Sequence, residues 1–268
     1  WRKGVQRFMP QFAANLSMLF TEVPLLERFA AAAASGFKGV EYIGPYDYPA
    51  EQIAELLSRH GLRQVLFNMP AGDWARGERG IGCLPDRIGE FQDGVETAIA
   101  YARVLGNTQV NCLAGLLPPG ISPEQAEETF IANLRFAAAE FEKAGLLLIA
   151  EPINSHDLPG FFLTRSAQAI AIFDKAGSDN LKLQYDIYHM QRMEGELANT
   201  IERLMPRIGH FQIAGNPGRT EPDRGEINYP FLFDLIDGLG YAGWIGAEYR
   251  PVRGTVEGLG WLKAARNA

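Results

Sequence analysis

The sequence predicts an α/β fold, a single (β/α)8 barrel. A strand-then-helix rhythm repeats eight times along 268 residues, a length that one such barrel commonly fills. Strands alternating with helices imply parallel pairing, and eight units favour closure. An open doubly wound sheet needs a glycine-rich phosphate turn after an early strand. Here the first strand leads into Asn15-Leu-Ser-Met-Leu19, which is nothing of the kind.

The elements follow in order. A strand over 11–17 precedes a helix over 22–35, stopped by Gly36. The second pair, 38–44 and 50–60, ends at Gly61, and the third, 63–69 and 86–105, ends at Gly106. A fourth strand over 108–114 is followed by a helix over 123–144. Ser122-Pro123-Glu124-Gln125 supplies that helix with an N-cap, a first-turn proline and a capping-box Gln, and Gly145 ends it. Strands over 146–152 and 181–187 are paired with helices over 165–177 and 195–206. The last two pairs are 208–214 with 230–239, closed by Gly240, and 244–249 with 255–266. No domain boundary or low-complexity segment interrupts the series, so residues 9–268 are expected to form one domain. Residues 1–8 are expected to be an extension outside the fold.

Composition excludes several classes. A chain with 47% hydrophobic and 21% charged residues can bury a core. Its net charge of −7 argues against a nucleic-acid partner or an anionic membrane surface. No apolar run approaches the roughly 20 residues that span a bilayer, so no membrane partner is expected. The two cysteines, Cys83 and Cys112, lack metal-site spacing and read as small apolar residues of a cytoplasmic protein.

Chemistry in such barrels sits at the C-terminal strand ends. Those ends read Asn15, Glu41, Asn68, Asn111, Glu151 with Asn154, Asp186 with His189, Gln212, and Glu248 with Arg250. Buried parallel strands rarely carry carboxylates without purpose, yet four successive runs end in Glu151, Asp186, Gln212 and Glu248. Three converging acids repel one another unless a cation compensates them. An all-oxygen set suits a hard divalent metal, Mg²⁺ or Mn²⁺, better than zinc. Such an ion, with glutamates above and below a carbon chain, points to proton transfer beside a carbonyl, with Glu151 and Glu248 as base and acid.

Two long loops, 71–85 and 215–226, lie on the same face and read as lids. They bring Trp74 and Arg219 to the substrate, with Asn68 and His189 as further binding candidates. Glu41 is open between a supporting hydrogen bond and direct substrate contact. His210, inside an apolar run, reads as a core histidine and His60 as surface, while His156 is open. The exposed lids also allow a homodimer.

Several segments resemble the hydroxypyruvate isomerase family, which belongs with the xylose-isomerase-like TIM barrels. They are Asn15-Leu-Ser-Met18, Pro70-Ala-Gly-Asp-Trp74, Gly77-Glu-Arg-Gly80, Glu151-Pro-Ile-Asn154, Gln184-Tyr-Asp-Ile-Tyr-His-Met-Gln-Arg-Met-Glu-Gly195 and Gly225-Glu-Ile-Asn-Tyr229. The resemblance runs from about Met9 to Trp261. It implies metal ligation by Glu151, Asp186, Gln212 and Glu248, proton transfer by Glu151 and Glu248, and a place for His189 near the substrate. The implied reaction interconverts hydroxypyruvate and tartronate semialdehyde through an enediol, on a small hydroxy-keto acid. Phe67-Asn68-Met69-Pro70 departs from the family, which often has His where Phe67 stands. Ile213-Ala-Gly215, Gly243-Trp-Ile-Gly246 and Glu257-Gly-Leu-Gly-Trp261 resemble the sister 2-oxo-tetronate isomerases instead. A four-carbon substrate, or 3-epimerisation of a ketose, is the alternative.

Overall fold

The computed structural model describes residues 10–267; the expected extension over residues 1–8 lies outside the described residues. All eight expected strands are present, each shorter than its apolar run: β1 (Gln11–Asn15), β2 (Gly39–Tyr42), β3 (Arg63–Phe67), β4 (Gln109–Cys112), β5 (Leu147–Ala150), β6 (Leu181–Asp186), β7 (Ile208–Ile213) and β8 (Trp244–Ala247). The helices are α1 (Leu25–Ala34), α2 (Ala50–His60), α3 (Ile88–Leu105), α4 (Pro123–Lys143), α5 (Ser166–Ala176), α6 (Ile187–Met193), α7 (Leu197–Leu204), α8 (Tyr229–Gly238) and α9 (Gly260–Asn267). The capping box of α4 is formed on both sides: Ser122 Oγ accepts from the Gln125 amide at 3.2 Å, and Gln125 Oε1 from the Ser122 amide at 3.0 Å. The sequence pattern missed α6, a two-turn helix starting directly at the end of β6. No helix among the described residues is long and apolar enough to cross a membrane.

The strands form one parallel sheet in the order β3-β2-β1-β8-β7-β6-β5-β4. Its two edges meet in a seam that carries no regular ladder. Closure falls to the C-terminal end of the seam, where Asn68 and Asn111 form a parallel bridge. There the Met69 amide donates to Asn111 O at 2.8 Å, and Asn111 Nδ2 donates to Asn68 Oδ1 at 3.0 Å. At the other end the seam opens into a cavity of about 520 Å³ between the starts of β3 and β4.

The main core lies between strands and helices. Inside the barrel a smaller apolar layer of Ala13, Val65, Leu66 and Ile149, with Leu147 and Trp244, plugs the N-terminal end. Gly39 makes this possible, because a methyl group there would stand 2.6 Å from the Trp244 ring. Above the plug the interior turns polar: Asn15, Glu41, Gln184, Asp186, His210 and Gln212 are all buried. Layered filling of this kind leaves functional side chains at the C-terminal end.

The loop from β7 to α8 is folded tightly over that end. Gly225 takes φ +101°, and a Cβ there would lie 2.1 Å from the carbonyl oxygen of Asn216. Gly225→Ala is therefore expected to open this loop and to destabilise the protein by about 1–3 kcal/mol, combining backbone strain with a backbone clash. Denaturant unfolding checks this; an unchanged midpoint would show that the close approach is dispensable.

Candidate active site

Two residues reach the site from β5 and β6. Asp186 ends β6 and caps α6, its Oδ1 accepting from the Tyr188 amide at 2.8 Å. Its other oxygen, Oδ2, is left with no hydrogen bond, as is Glu151 Oε1 just past β5. Both face His189, whose Nε2 lies 3.5 Å from Asp186 Oδ2 and 3.8 Å from Glu151 Oε1. One ligand atom from each of these three residues lies within 4.8 Å of the others. α6 carries His189 to this place, three residues after Asp186.

The state of His189 follows from its neighbours. Asn154 Oδ1 accepts from the amides of His156 and Asp157, which turns its Nδ2 toward His189 Nδ1 at 2.6 Å. A donor at Nδ1 makes that nitrogen an acceptor, so the hydrogen of the neutral ring sits on Nε2. Burial, helped by Arg219 and Arg192, pushes the His189 pKa well below its ordinary value. His189 thus presents an N–H to the site. A cation in this cluster would draw on oxygen donors, not on this nitrogen.

Glu248, just past β8, stands apart from that trio and joins it through Arg219. The guanidinium lies 2.6 Å from Glu248 Oε2 and 3.5 Å from Asp186 Oδ2. Arg219 holds a left-handed backbone, φ +54°, unusual for a non-glycine residue. Two hydrogen bonds fix it, Gly215 N to Thr220 O at 2.8 Å and Arg250 N to Arg219 O at 2.7 Å. Strain of this kind at a ligand clamp survives only where its surroundings enforce it.

The remaining candidates separate into two levels. Asn68, Trp74, His189 and Arg219 line a cleft of about 770 Å³ above the acids, as do His156, Tyr188, Arg192 and Arg250. Trp74 stands at the mouth, 40% exposed, with the Arg79 guanidinium stacked 3.9 Å from its ring centre. Glu41 and Gln212 lie below this cleft. Glu41 is 1% exposed and accepts from His210 Nε2 at 2.7 Å, Gln212 Nε2 at 2.7 Å and Asn15 Nδ2 at 3.1 Å. Glu41 does not line this cleft but, with Gln212, Glu151 and Glu248, lines a small cavity beneath it, where its hydrogen bonds support its neighbours. Gln212 spends its amide within the same layer, its oxygen accepting from Gln184 Nε2 at 2.6 Å. Sequence reasoning missed Gln184, Tyr188, Arg192 and Asp157. The i, i+4 spacing of Tyr188 and Arg192 on an unrecognised helix was their only signal. His210 is a buried core histidine as expected, and also a hydrogen-bond partner of Glu41. Cys83 and Cys112 are buried free thiols.

Charge dominates this site. Burial first, then Glu248 and Asp186, push the Glu151 carboxyl well above the usual carboxylate range. Burial likewise raises Asp186 to about 6 and Glu248 to about 7, against the opposing pull of Arg219. When all three acids are ionised, the one guanidinium leaves two negative charges uncompensated. The unpartnered oxygens of Glu151 and Asp186 and the all-oxygen donor set therefore fit a divalent cation.

Comparison with known proteins agrees with this architecture. A family model described as a xylose isomerase-like TIM barrel matches residues 29–265. A hydroxypyruvate isomerase of Escherichia coli K12 is 54% identical over 258 residues, 96% of this chain and 100% of that relative. A 2-oxo-tetronate isomerase of Cupriavidus necator is 49% identical over 255 residues, 95% of this chain and 98% of that one. Among solved structures, one described as an AP endonuclease, family 2, from Brucella melitensis superposes with TM-score 0.93 at 44% identity, covering 96% of this chain and 99% of that one.

The raised acids make a prediction. Carboxyls whose folded pKa exceeds the unfolded value of about 4 bind more protons folded than unfolded, so stability falls as pH rises. The window runs from about pH 4, the unfolded value, up through about 6 for Asp186 and about 7 for Glu248. Chelator-treated protein is expected to melt at lower temperature near pH 8 than near pH 5. Excess Mn²⁺ should restore more at the higher pH, where it no longer competes with protons. A melting temperature that is flat with pH would contradict this charge balance.

Proposed function

The chain belongs to the xylose isomerase-like TIM-barrel family, among its hydroxypyruvate and 2-oxo-tetronate isomerases, and on that premise we propose that it interconverts hydroxypyruvate and tartronate semialdehyde. The observation that carries this reading is the pair of unpartnered carboxylate oxygens, on Glu151 and Asp186, facing the Nε2–H of His189 beneath an arginine-lined cleft. The reaction moves a proton from C3 of the keto acid to C2, so it needs a base, an acid and a donor for the reacting oxygens.

Glu151 has the free lone pair that a base requires. Its raised pKa brings proton affinity toward that of a working general base at neutral pH. Glu248, oriented by Arg219 and by Asn15 Nδ2 at 3.2 Å, approaches from the opposite wall and returns the proton. His189, locked as the Nε2–H tautomer by Asn154, donates to a substrate oxygen. Glu151, Asp186, Gln212 and Glu248 would hold a Mg²⁺ or Mn²⁺ ion. When bound, the ion polarises the adjacent carbonyl and hydroxyl oxygens and stabilises the enediolate charge. Gln212 would offer its oxygen at the cost of the bond from Gln184.

The cleft also favours an acid over a neutral sugar. Arg192 is paired with Asp157, Arg79 is engaged with Trp74, and Arg219 with Glu248. Arg250 lines the cleft, and its guanidinium has no partner among the described residues. It is free to take the substrate carboxylate.

Wild type is expected to exchange substrate C–H with deuterated water, followed by NMR. Glu151→Gln and Glu248→Gln should each slow turnover by about 100- to 10,000-fold, as loss of a general base or acid does. Undiminished turnover in both variants sinks the two-glutamate reading. Chelation should silence exchange and Mn²⁺ restore it. Arg250→Met should raise KM by about tenfold or more with kcat nearly kept, the mark of lost uniform binding. Comparing kcat/KM for hydroxypyruvate and a 2-oxo-tetronate decides the carbon number. A clear preference for the latter replaces the substrate and leaves the chemistry intact.

A further inference from the structure

Beneath the acids lies a buried pair with no place in proton transfer, Glu41 on β2 and His210 on β7. His210 is fully buried, its Nε2 is 2.7 Å from Glu41 Oε2, and its Nδ1 is 3.3 Å from Gln109 Nε2. Gln109 Nε2 donates to Nδ1, so the His210 hydrogen sits on Nε2 and points at Glu41. The other carboxylate oxygen, Oε1, accepts from Gln212 Nε2 at 2.7 Å and from Asn15 Nδ2 at 3.1 Å. That same Asn15 nitrogen reaches Glu248 Oε1 at 3.2 Å. The carboxylate is wedged against bare backbone: a Cβ at Gly246 would stand 2.3 Å from both of its oxygens.

An amide side chain has an oxygen at one end and a nitrogen at the other, and little but hydrogen bonding decides which points where. Glu41 is an acceptor only, so it takes the nitrogen of Gln212 and compels the oxygen to face the opposite way. That oxygen now accepts from Gln184. We propose that Glu41, held by His210, is a positioning residue that sets the amide orientation of Gln212, and through Asn15 the place of Glu248, so that the site above presents oxygen to a divalent cation. The proposal rests on the cation reading made above and adds to it the residue that makes a neutral amide a usable ligand. Supporting hydrogen bonds of this kind typically contribute 10- to 100-fold to metal affinity.

The test is a double-mutant cycle read by Mn²⁺ calorimetry, with thermal melts confirming folded protein. Glu41→Gln is expected to weaken Mn²⁺ binding by about tenfold or more, because an amide at this position permits the Gln212 amide to turn over. A carboxylate offers oxygen in either orientation. Gln212→Glu on its own sets two carboxylates face to face and should weaken or leave unchanged the affinity. Combined with Glu41→Gln it should bring affinity back to within about threefold of wild type. A merely structural Glu41 gives no such rescue. Gly246→Ala provides a second route, since it displaces the Glu41 carboxylate without altering any charge, and it should weaken Mn²⁺ binding in the same direction. If Gln212→Glu changes affinity by the same factor in both backgrounds, or if Glu41→Gln and Gly246→Ala bind Mn²⁺ as wild type does, the positioning role is overturned. If wild type itself binds no Mn²⁺, the cation reading falls and this role falls with it.

Discussion

Four carboxylates are buried at one end of a narrow parallel barrel, and much of the upper half of the structure answers to that constraint. Glu41, Glu151, Asp186 and Glu248 are each at least nine-tenths buried. Like charges a few ångströms apart in such surroundings interact by several kcal/mol, enough to consume much of a domain's stability. Two different devices meet the problem. Glu41 is saturated with hydrogen bonds from His210, Gln212 and Asn15. The other three are only partly neutralised, by Arg219, and two of them, Glu151 and Asp186, are left with an unpartnered oxygen. A site that is incompletely compensated is one that has work for a cation and a substrate.

Arg219 links this electrostatic demand to loop geometry. Its guanidinium reaches Glu248 and Asp186 because its backbone is left-handed, and that conformation persists because Thr220 and Arg250 hold the segment on either side. The close approach of Asn216 to Gly225 packs the rest of the loop beneath it. The division of the barrel interior serves the same end. Trp244 over Gly39 fills the N-terminal end of the interior with apolar surface, and the polar residues collect at the C-terminal end. The seam between β3 and β4 is joined only at that upper end, through Asn68 and Asn111. Asn111 also lies 3.5 Å from Glu151, which ties barrel closure to the placement of an acid.

The fold was legible because buried parallel strands leave continuous apolar runs, and because glycines and Ser122 marked helix ends. All five of the glycines read as helix stops adopt positive φ. What escaped was short or non-periodic. α6 has seven residues, too few for an apolar stripe to repeat, and its first turn is capped by Asp186, a residue already assigned to the site. Missing α6 hid Tyr188 and Arg192. The strand-end rule singled out Glu151, Asp186, Gln212 and Glu248, but it carries no information about depth. Gln212 and Glu41 read alike with Glu151 and Glu248, although they do not line the upper cleft as those two do. Gln184 sits in mid-strand, where the pattern expects packing. Its role becomes visible only when β6 and β7 are paired and its amide meets Gln212.

One structure that superposes on this barrel is described as an AP endonuclease, and a shared scaffold does not by itself decide chemistry. Cleaving a phosphodiester in DNA calls for a basic surface, for steering and for phosphate contacts, and this chain carries a net charge of −7. Clustered-metal phosphodiester sites draw on several metal ligands at once, whereas of His156 and His189, which both line this cleft, only His189 is grouped with the acids among the described residues, and its Nε2 is a donor by virtue of Asn154. The cations present are arginines at the wall of a cleft of about 770 Å³. Carboxylates with raised pKa, a neutral imidazole donor and a guanidinium without a side-chain partner among the described residues suit the proton transfer proposed above. It is these side chains, not the scaffold, that favour the proposed isomerisation over phosphodiester cleavage.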